Sequence, residues 1–220
     1  MGRYRLDLDA IESSLKEVQR NFHKINDSLN SRRAPLQDEI VNNMMCGYAL
    51  VDEALAKKVD LFELQNAKYF LQMNHLVLCG IDSETRMEHK KHISETENQF
   101  YNQDKCNIFD IIGWNKKHRK DSAWKRASGV YIFILSQPQL YLEGNHRTGA
   151  LIMSYILGKE GKAPFVLSKE NAKEYFDPST VVKCTNKNMI MHLIKLPKIK
   201  EKFAGFLKSQ EKKSYIYKEK

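Results

Sequence analysis

The chain has 220 residues, of which 42% are hydrophobic, and a formal net charge of +9 at pH 7. This length and apolar content predict a folded protein with one sizeable core. Residues 181–220 hold 11 lysines against three glutamates, so the rest of the chain is close to neutral and has no basic face in its composition. Nucleic-acid binding through the lysine-rich end is therefore the least favoured class of function, and nucleic acid is not an expected partner.

The cysteines and the apolar runs indicate the compartment. Cys46, Cys79, Cys106 and Cys184 form no CxxC pair, which predicts reduced thiols and argues against a disulfide or zinc framework. No apolar run approaches the roughly 20 residues of a membrane span, and the first residues lack the apolar core of a signal peptide. The sequence predicts a cytoplasmic protein with no membrane partner.

A stripe of apolar residues opens the chain with alternating spacings of three and four. It consists of Leu8, Ile11, Leu15, Val18, Phe22, Ile25 and Leu29. The pattern predicts one long amphipathic helix that ends before Pro35, and residues 1–35 form the first predicted unit. We expect the stripe to pack on the chain's own body, because three heptads are marginal for an isolated coiled coil. Pairing with a second copy in a homodimer is the alternative.

Further helices are predicted along the rest of the chain. Apolar periodicity and end signals place them at 41–55, 64–78, 122–135, 147–157, 169–175 and 189–206. Pro197 is expected to break the last of them, and one helix and an irregular connection are expected between residues 79 and 114. Residues 36–195 form the main predicted domain, and residues 196–220 form a basic tail. No alternating strand pattern of useful length occurs, so the predicted class is all-α.

A polar loop, residues 143–149, lies between two strongly apolar runs at the start of a predicted helix. The free N–H groups and the dipole of a helix N-terminus attract anions, and Gly144 lets the backbone approach a phosphate closely. We expect Arg147 to grip phosphate oxygens and Glu143 to hold Mg²⁺, because hard cations take carboxylate ligands. Asn145 is expected to fix the loop through hydrogen bonds to the backbone. The composition predicts a phosphate-binding site.

The same residues carry a family resemblance. Glu143-Gly144-Asn145-His146-Arg147-Thr148-Gly149 resembles part of the H-x-F-x-(D/E)-G-N-(G/K)-R motif of Fic and Doc proteins, and segments between residues 40 and 190 are similar to Fic segments. The resemblance implies a Fic-type helical fold in which two central buried helices bracket the active loop. It also implies binding of ATP with Mg²⁺ and transfer of AMP, or of another phosphate-containing group, to a hydroxyl of an unidentified target protein.

The resemblance implies that Glu143 is the metal ligand and that the motif residues after it bind nucleotide phosphates. These are Gly144, Asn145, His146, Arg147 and Thr148. Thr148 is additionally expected to act as a local cap of the helix that follows. The implied cofactor is Mg²⁺, with ATP as co-substrate or ligand.

The general base of the family is a histidine, and this chain has a glutamine in its place. Counting back from the motif asparagine places the base at Gln139, whereas the pair Gln137-Pro138 resembles the family's His-Pro and places it at Gln137. A glutamine amide cannot accept a hydroxyl proton near neutral pH, and loss of a general base costs about 10²–10⁴ in rate. Two interpretations follow: a Fic-like transferase with slow or altered chemistry, or a non-catalytic Fic-fold protein that works through interaction or regulation.

Overall fold

The computed structural model describes residues 4–188 and 190–219, and for residues 190–195 only the backbone. Over this part of the chain the fold is helical except for one pair of three-residue strands, which confirms the predicted all-α class. None of the helices in the described ranges is long and apolar enough to cross a membrane. In chain order the elements are β1 (Tyr4–Leu6), α1 (Leu8–Arg20), α2 (Phe22–Ser28), α3 (Asp38–Ala56), α4 (Lys68–Cys79), α5 (Ser83–Glu88), α6 (Lys90–Tyr101), α7 (Ile108–Lys117), α8 (Ala123–Leu135), α9 (Asn145–Lys159), α10 (Ala172–Lys183), α11 (Ile190–Ser209) and β2 (Ile216–Lys218).

Two buried helices, α8 and α9, pack along each other at the centre of the molecule. Every residue of α9 between 148 and 158 is buried, and so is every residue of α8 between 127 and 132. Helices α3 and α4 pack on α9, and α11 packs on α8. Residues 136–144 join α8 to α9, so a loop between two central buried helices is present, as the sequence predicts. Of the predicted polar loop 143–149, the first two residues belong to this connection and residues 145–149 form the start of α9, which begins two residues before the predicted position 147.

The N-terminal stripe forms two helices, α1 and α2, and the prediction of one continuous helix is wrong. The break is at Asn21, whose φ is −101° and whose side-chain amide donates to the carbonyl of Glu17 at 2.9 Å. Such a local bond from an asparagine competes with the helical backbone. The stripe from Ile11 to Leu29 is buried against the chain's own body. A homodimer formed through this stripe would therefore require its release.

Other helix boundaries also differ from the predicted ones. Helix α10 occupies residues 172–183 instead of the predicted 169–175. The side chain of Asn171 accepts from Ser168 N–H at 2.8 Å and donates to Val166 O at 2.9 Å. These two bonds hold the residues before the helix in a turn. Helix α11 continues through Pro197; burial of Phe203 and Leu207 stabilises the part beyond the proline. Between residues 79 and 114 the chain forms α5, α6 and most of α7, with the expected irregular connection at 102–107.

The two strands bring the ends of the described chain together. They pair antiparallel, with Leu6 opposite Ile216. Arg5 on β1 donates to Asp52 of α3 through Nε at 2.9 Å, and the backbone N–H of Leu6 donates to the same carboxylate at 2.8 Å. Residues 196–219, which the sequence assigns to a basic tail, thus belong to the folded body, with Tyr215 buried.

Candidate functional site

The loop ends in Gly144, which is the N-cap residue of α9 and has φ +74°. Side chains rarely adopt this left-handed conformation, and a Cβ here would lie 2.9 Å from Nδ2 of Asn74. The first backbone N–H of α9 that makes a helical hydrogen bond is that of Thr148, which donates to Gly144 O at 2.9 Å. In the described part of the chain no acceptor meets the N–H groups of residues 145–147. These three donors remain available to an anion.

The side chain of Asn145 fixes the loop internally, as the sequence predicts. Its Oδ1 accepts from the N–H of Tyr141 at 3.0 Å, and its Nδ2 donates to the carbonyl of the same residue at 2.8 Å. Asn145 is 4% exposed and Tyr141 is 1% exposed, so both backbone groups would lack a partner without this amide. The Asn145 side chain is therefore occupied, and its contribution to a ligand is its backbone N–H.

Asn74 of α4 supports the loop from a distant part of the sequence, and sequence reasoning did not identify it. Its Nδ2 donates to the carbonyl of Glu143 at 2.9 Å and to Oγ1 of Thr148 at 3.0 Å. Thr148 is fully buried in this contact, and α9 has no side-chain cap. The expected capping role of Thr148 is wrong, and its side chain is not available to a phosphate. In the sequence, the feature that could have pointed to Asn74 is the presence of a polar amide within the apolar stripe of α4.

A cavity of about 380 Å³ lies at the N-terminus of α9. Its wall is formed by Gln139, Leu142, Glu143, Gly144, Asn145, His146, Arg147 and Lys183. The volume falls within the range of small-molecule sites. The side chains of Arg147 and Lys183 and one carboxylate, that of Glu143, line the cavity, and the free N–H groups of α9 add partial positive charge. Lys183, the last residue of α10, is a candidate contact that the sequence analysis did not single out.

Arg147 has part of its guanidinium fork free. Nη1 donates to the carbonyl of Val77 in the last turn of α4. Burial lowers the pKa of Arg147 from its ordinary value, and the carboxylates of Glu143 and Glu39 oppose that shift. An arginine keeps its charge at neutral pH despite such a shift, and the fork has five N–H groups. The remaining donors suit a phosphate.

Glu143 is exposed on the cavity wall. Within residues 4–188 and 190–219 no group of three or more His, Cys, Asp or Glu side chains is arranged to hold a metal ion. A single carboxylate fits Mg²⁺ only together with phosphate oxygens and water, which is the coordination this ion commonly keeps beside nucleotides. Glu143 thus suits a metal that arrives with the ligand.

The two candidate glutamines lie in different surroundings. Gln139 lines the cavity, and its Oε1 is 3.4 Å from Nδ2 of Asn145. Gln137 is exposed, its N–H donates to Thr185 O at 2.8 Å, and its side chain donates to the carbonyl of Lys183 at 3.4 Å. Gln137 is not among the residues of the cavity wall. Of the two glutamines, Gln139 is therefore the one that borders the cavity.

Hydrogen bonds to neighbouring residues determine the tautomer of His146. Ser179 donates its hydroxyl proton to the carbonyl of Tyr175, so it can only accept from the hydroxyl of Tyr131, 2.8 Å away. Tyr131 must then accept from Nδ1–H of His146 at 3.0 Å. This assignment leaves a lone pair on Nε2, which is buried and has no hydrogen-bond partner among the described residues.

His146 is a weak base in this setting. Burial, followed by the nearby charges of Arg33 and Lys183, lowers the pKa of His146 to about 3. An effective general base has a pKa near the working pH, so a neutral imidazole of this kind is a poor substitute for the missing histidine. The position of His146 in the cavity wall supports ligand contact more than proton abstraction.

The lowered pKa of His146 predicts acid-sensitive stability. Because the unfolded side chain takes up a proton near pH 6.5 and the folded one only near pH 3, its contribution is present above pH 6.5 and is lost as the pH falls toward 3. Between pH 7 and pH 4 the free energy of unfolding of the parent protein should fall by about 2 kcal/mol more than that of the His146→Asn variant. This figure is reduced from the full pKa difference because the side chain is partly exposed. Urea unfolding across this range measures the difference.

The control for this prediction is His23→Asn, which changes an exposed histidine of α2. It should follow the pH dependence of the parent protein. Parallel pH profiles for His146→Asn and the parent would contradict a depressed pKa at His146.

Comparison with known proteins gave no matching family model, no similar curated protein and no similar solved structure. The resemblance to Fic and Doc proteins therefore stays a prediction that depends on the motif residues. What the site can do follows from its own geometry: a cavity of small-molecule size, three free backbone donors, two cations and one exposed carboxylate.

Proposed function

We propose that this protein binds a nucleoside triphosphate, ATP in the first instance, with its phosphates at the N-terminus of α9. The observation that supports this most is the set of free N–H groups at residues 145–147, which opens into a cavity bordered by Arg147 and Lys183. Backbone donors and a guanidinium together recognise phosphate oxygens and not simply negative charge. The cavity volume of about 380 Å³ leaves room for more than a single phosphate.

Mg²⁺ fits this proposal as a companion of the phosphates. Glu143 supplies one carboxylate at the cavity wall, and phosphates with water would supply the other ligands. The ion would neutralise charge on the phosphates when bound. The chain's own contribution is to hold the phosphates against α9 and to orient the carboxylate, which Asn74 assists by its hydrogen bond to Glu143 O.

Transfer of AMP is the chemistry that such a site would support. A hydroxyl oxygen of a target protein attacks the α-phosphorus, the bond from that phosphorus to the bridging oxygen breaks, and pyrophosphate leaves. The hydroxyl proton must pass to a base. Gln139 cannot accept it, so the step is expected to be about 10²–10⁴ slower than with a histidine at this position.

The free N–H groups at residues 145–147 also support a second candidate function, nucleotide binding without transfer. Gln139 lies in the cavity wall and cannot act as a base, and His146, the histidine that the described residues contribute to that wall, has its pKa lowered to about 3. A protein of this kind would act through interaction or regulation. Its nucleotide cleft would be the same.

Titration calorimetry with ATP and Mg²⁺ tests the binding shared by both candidates. We expect a single site with a Kd below about 1 mM, weaker without Mg²⁺, and little affinity for adenosine, because the phosphates supply the charged contacts. Absence of heat at millimolar ATP with Mg²⁺, in a protein shown to be folded, would overturn the proposed function.

Restoring a histidine separates slow transfer from pure binding. The Gln139→His variant is expected to raise incorporation of label from α-³²P-ATP into protein about 10²-fold or more. The matched control is Gln137→His, which places a histidine outside the cavity wall and should leave incorporation at the parent level. Incorporation by the Gln137 variant alone would contradict the assignment of Gln139. If neither variant incorporates label while both bind ATP, the non-catalytic function is favoured.

A further inference from the structure

A second cavity, of about 260 Å³, lies between the N-terminal helices and the body. Helices α1, α2, α3, α9 and α10 and the connection after α2 all contribute to its wall. Most of that wall is apolar, as in Leu15, Phe22, Ile40, Met44, Phe165 and Phe176. Exposed Ala34 also belongs to it, so the cavity reaches the surface there. Since an engineered apolar cavity of about 150 Å³ holds benzene, this one has room for about ten non-hydrogen atoms.

The polar part of this wall carries positive charge without a carboxylate. Arg33 and Arg147 line the cavity, and among the residues that the structure describes no aspartate or glutamate does. Asp177, whose charge interacts with Arg33, is bound to Lys173 at 2.7 Å and is not part of the wall.

Two atoms of the wall residues lack partners where water is excluded. Arg33 donates through Nη2 to Phe176 O at 3.3 Å and to Oγ1 of Thr180 at 3.0 Å, and its guanidinium lies over the Phe176 ring. Its Nε is buried with no acceptor among the described residues, and Nε2 of His146 is likewise buried and unpaired. Nε is enclosed by protein atoms, so an anionic oxygen in the cavity would bind the part of the Arg33 guanidinium that lines it, and the missing acceptor at Nε shows that the hydrogen-bonding capacity of this group is not exhausted.

We propose that this cavity binds a small apolar monocarboxylate, with its hydrocarbon or aromatic part among the apolar side chains and its carboxylate bound to Arg33. The apolar wall accounts for the body of such a ligand, and the guanidinium of Arg33, which has no carboxylate beside it in the described wall, accounts for its charge. The two cavities have His146 and Arg147 in common, but Arg33 and the apolar side chains line only this one, so the proposed carboxylate contact does not depend on nucleotide binding.

Ligand-observed NMR titration of the full chain with 3-phenylpropionate tests the proposal, with 3-phenylpropionamide as its neutral isostere. We expect the acid to bind with a Kd of about 1 mM or tighter and the amide to bind at least about 10-fold more weakly. Equal affinity for acid and amide would overturn the anionic class, and absence of binding by either would overturn the site. This comparison uses the parent protein and needs no variant.

Two variants locate the bound acid. Arg33→Met should weaken binding of the acid at least about 10-fold and leave the amide unchanged, whereas the neighbouring Arg32→Met, at a side chain that is 80% exposed, should change neither. Ile40→Trp fills the cavity and should abolish binding of both molecules. Persistent binding of the acid by a folded Ile40→Trp variant would place it elsewhere, such as at the N-terminus of α9, and would overturn the proposal.

Discussion

Asn145→Ala is expected to lower the free energy of unfolding by about 2–4 kcal/mol and to abolish nucleotide binding. The substitution removes the partner of both the N–H and the carbonyl of Tyr141, which lie at 3.0 and 2.8 Å from the amide. Each unsatisfied buried backbone group costs about 1–3 kcal/mol. Without these bonds the loop is not held before α9, so the phosphate donors at residues 145–147 lose their alignment. Urea unfolding gives the stability, and calorimetry with ATP and Mg²⁺ gives the binding.

The matched control is Asn42→Ala, which removes an exposed amide from α3. The free energy of unfolding should stay within about 0.5 kcal/mol of the parent value, and any change should be a small gain, because alanine has a higher helix propensity than asparagine. An Asn145→Ala protein with the stability of the parent and unchanged ATP affinity would show that the loop is held by other contacts.

Arg147→Met is expected to weaken binding of ATP with Mg²⁺ about 10–100-fold while the protein remains folded. One N–H of the guanidinium is bound to Val77 O, and the other donors are available to phosphate oxygens. Charged hydrogen bonds of this kind contribute about 1.5–3 kcal/mol each. Arg147→Lys keeps the charge without the planar fork and should retain an intermediate affinity. Calorimetry at two salt concentrations measures both effects, because charged contacts weaken with salt.

Arg119→Met is the control for lost positive charge, since Arg119 is exposed after α7 and away from the cavity wall. Its ATP affinity should equal that of the parent protein. Lys183→Met should reduce the affinity less than Arg147→Met does, because a lysine makes no bidentate contact. Unchanged affinity in both Arg147→Met and Lys183→Met would contradict phosphate binding at the N-terminus of α9.

Local periodicity was sufficient to predict most of the helical fold. Helix α3 was expected at 41–55 and occupies Asp38–Ala56, and α8 was expected at 122–135 and occupies Ala123–Leu135. The errors arose where one side chain or tertiary contact overrode the pattern. The bond from Asn21 to Glu17 O interrupts the N-terminal helix, and packing beyond Pro197 sustains α11. A heptad pattern specifies neither effect.

The site was predictable where its residues are neighbours in the sequence. The consecutive loop residues carry their own signal in composition, and Gly144 does have the backbone conformation that favours glycine. Asn74 and Lys183 were not predictable, because α4 and α10 are brought to the loop only by tertiary packing. The choice between Gln137 and Gln139 likewise depended on which of two nearby side chains borders the cavity.

The pairing of β1 with β2 has a consequence for local opening of the chain. Neither three-residue strand can keep its backbone bonds when the other detaches, and Asp7 N–H also donates to Tyr215 O at 3.0 Å. The hydrogen-bonded amide protons of β1 and β2 should therefore exchange with deuterium as one cooperative unit, with the same free energy of opening and the same denaturant dependence. Loosening of the last strand would also free Arg5 from its position beside Asp52. A perturbation at one terminus would thus be felt at the other, although the whole length of the chain separates them.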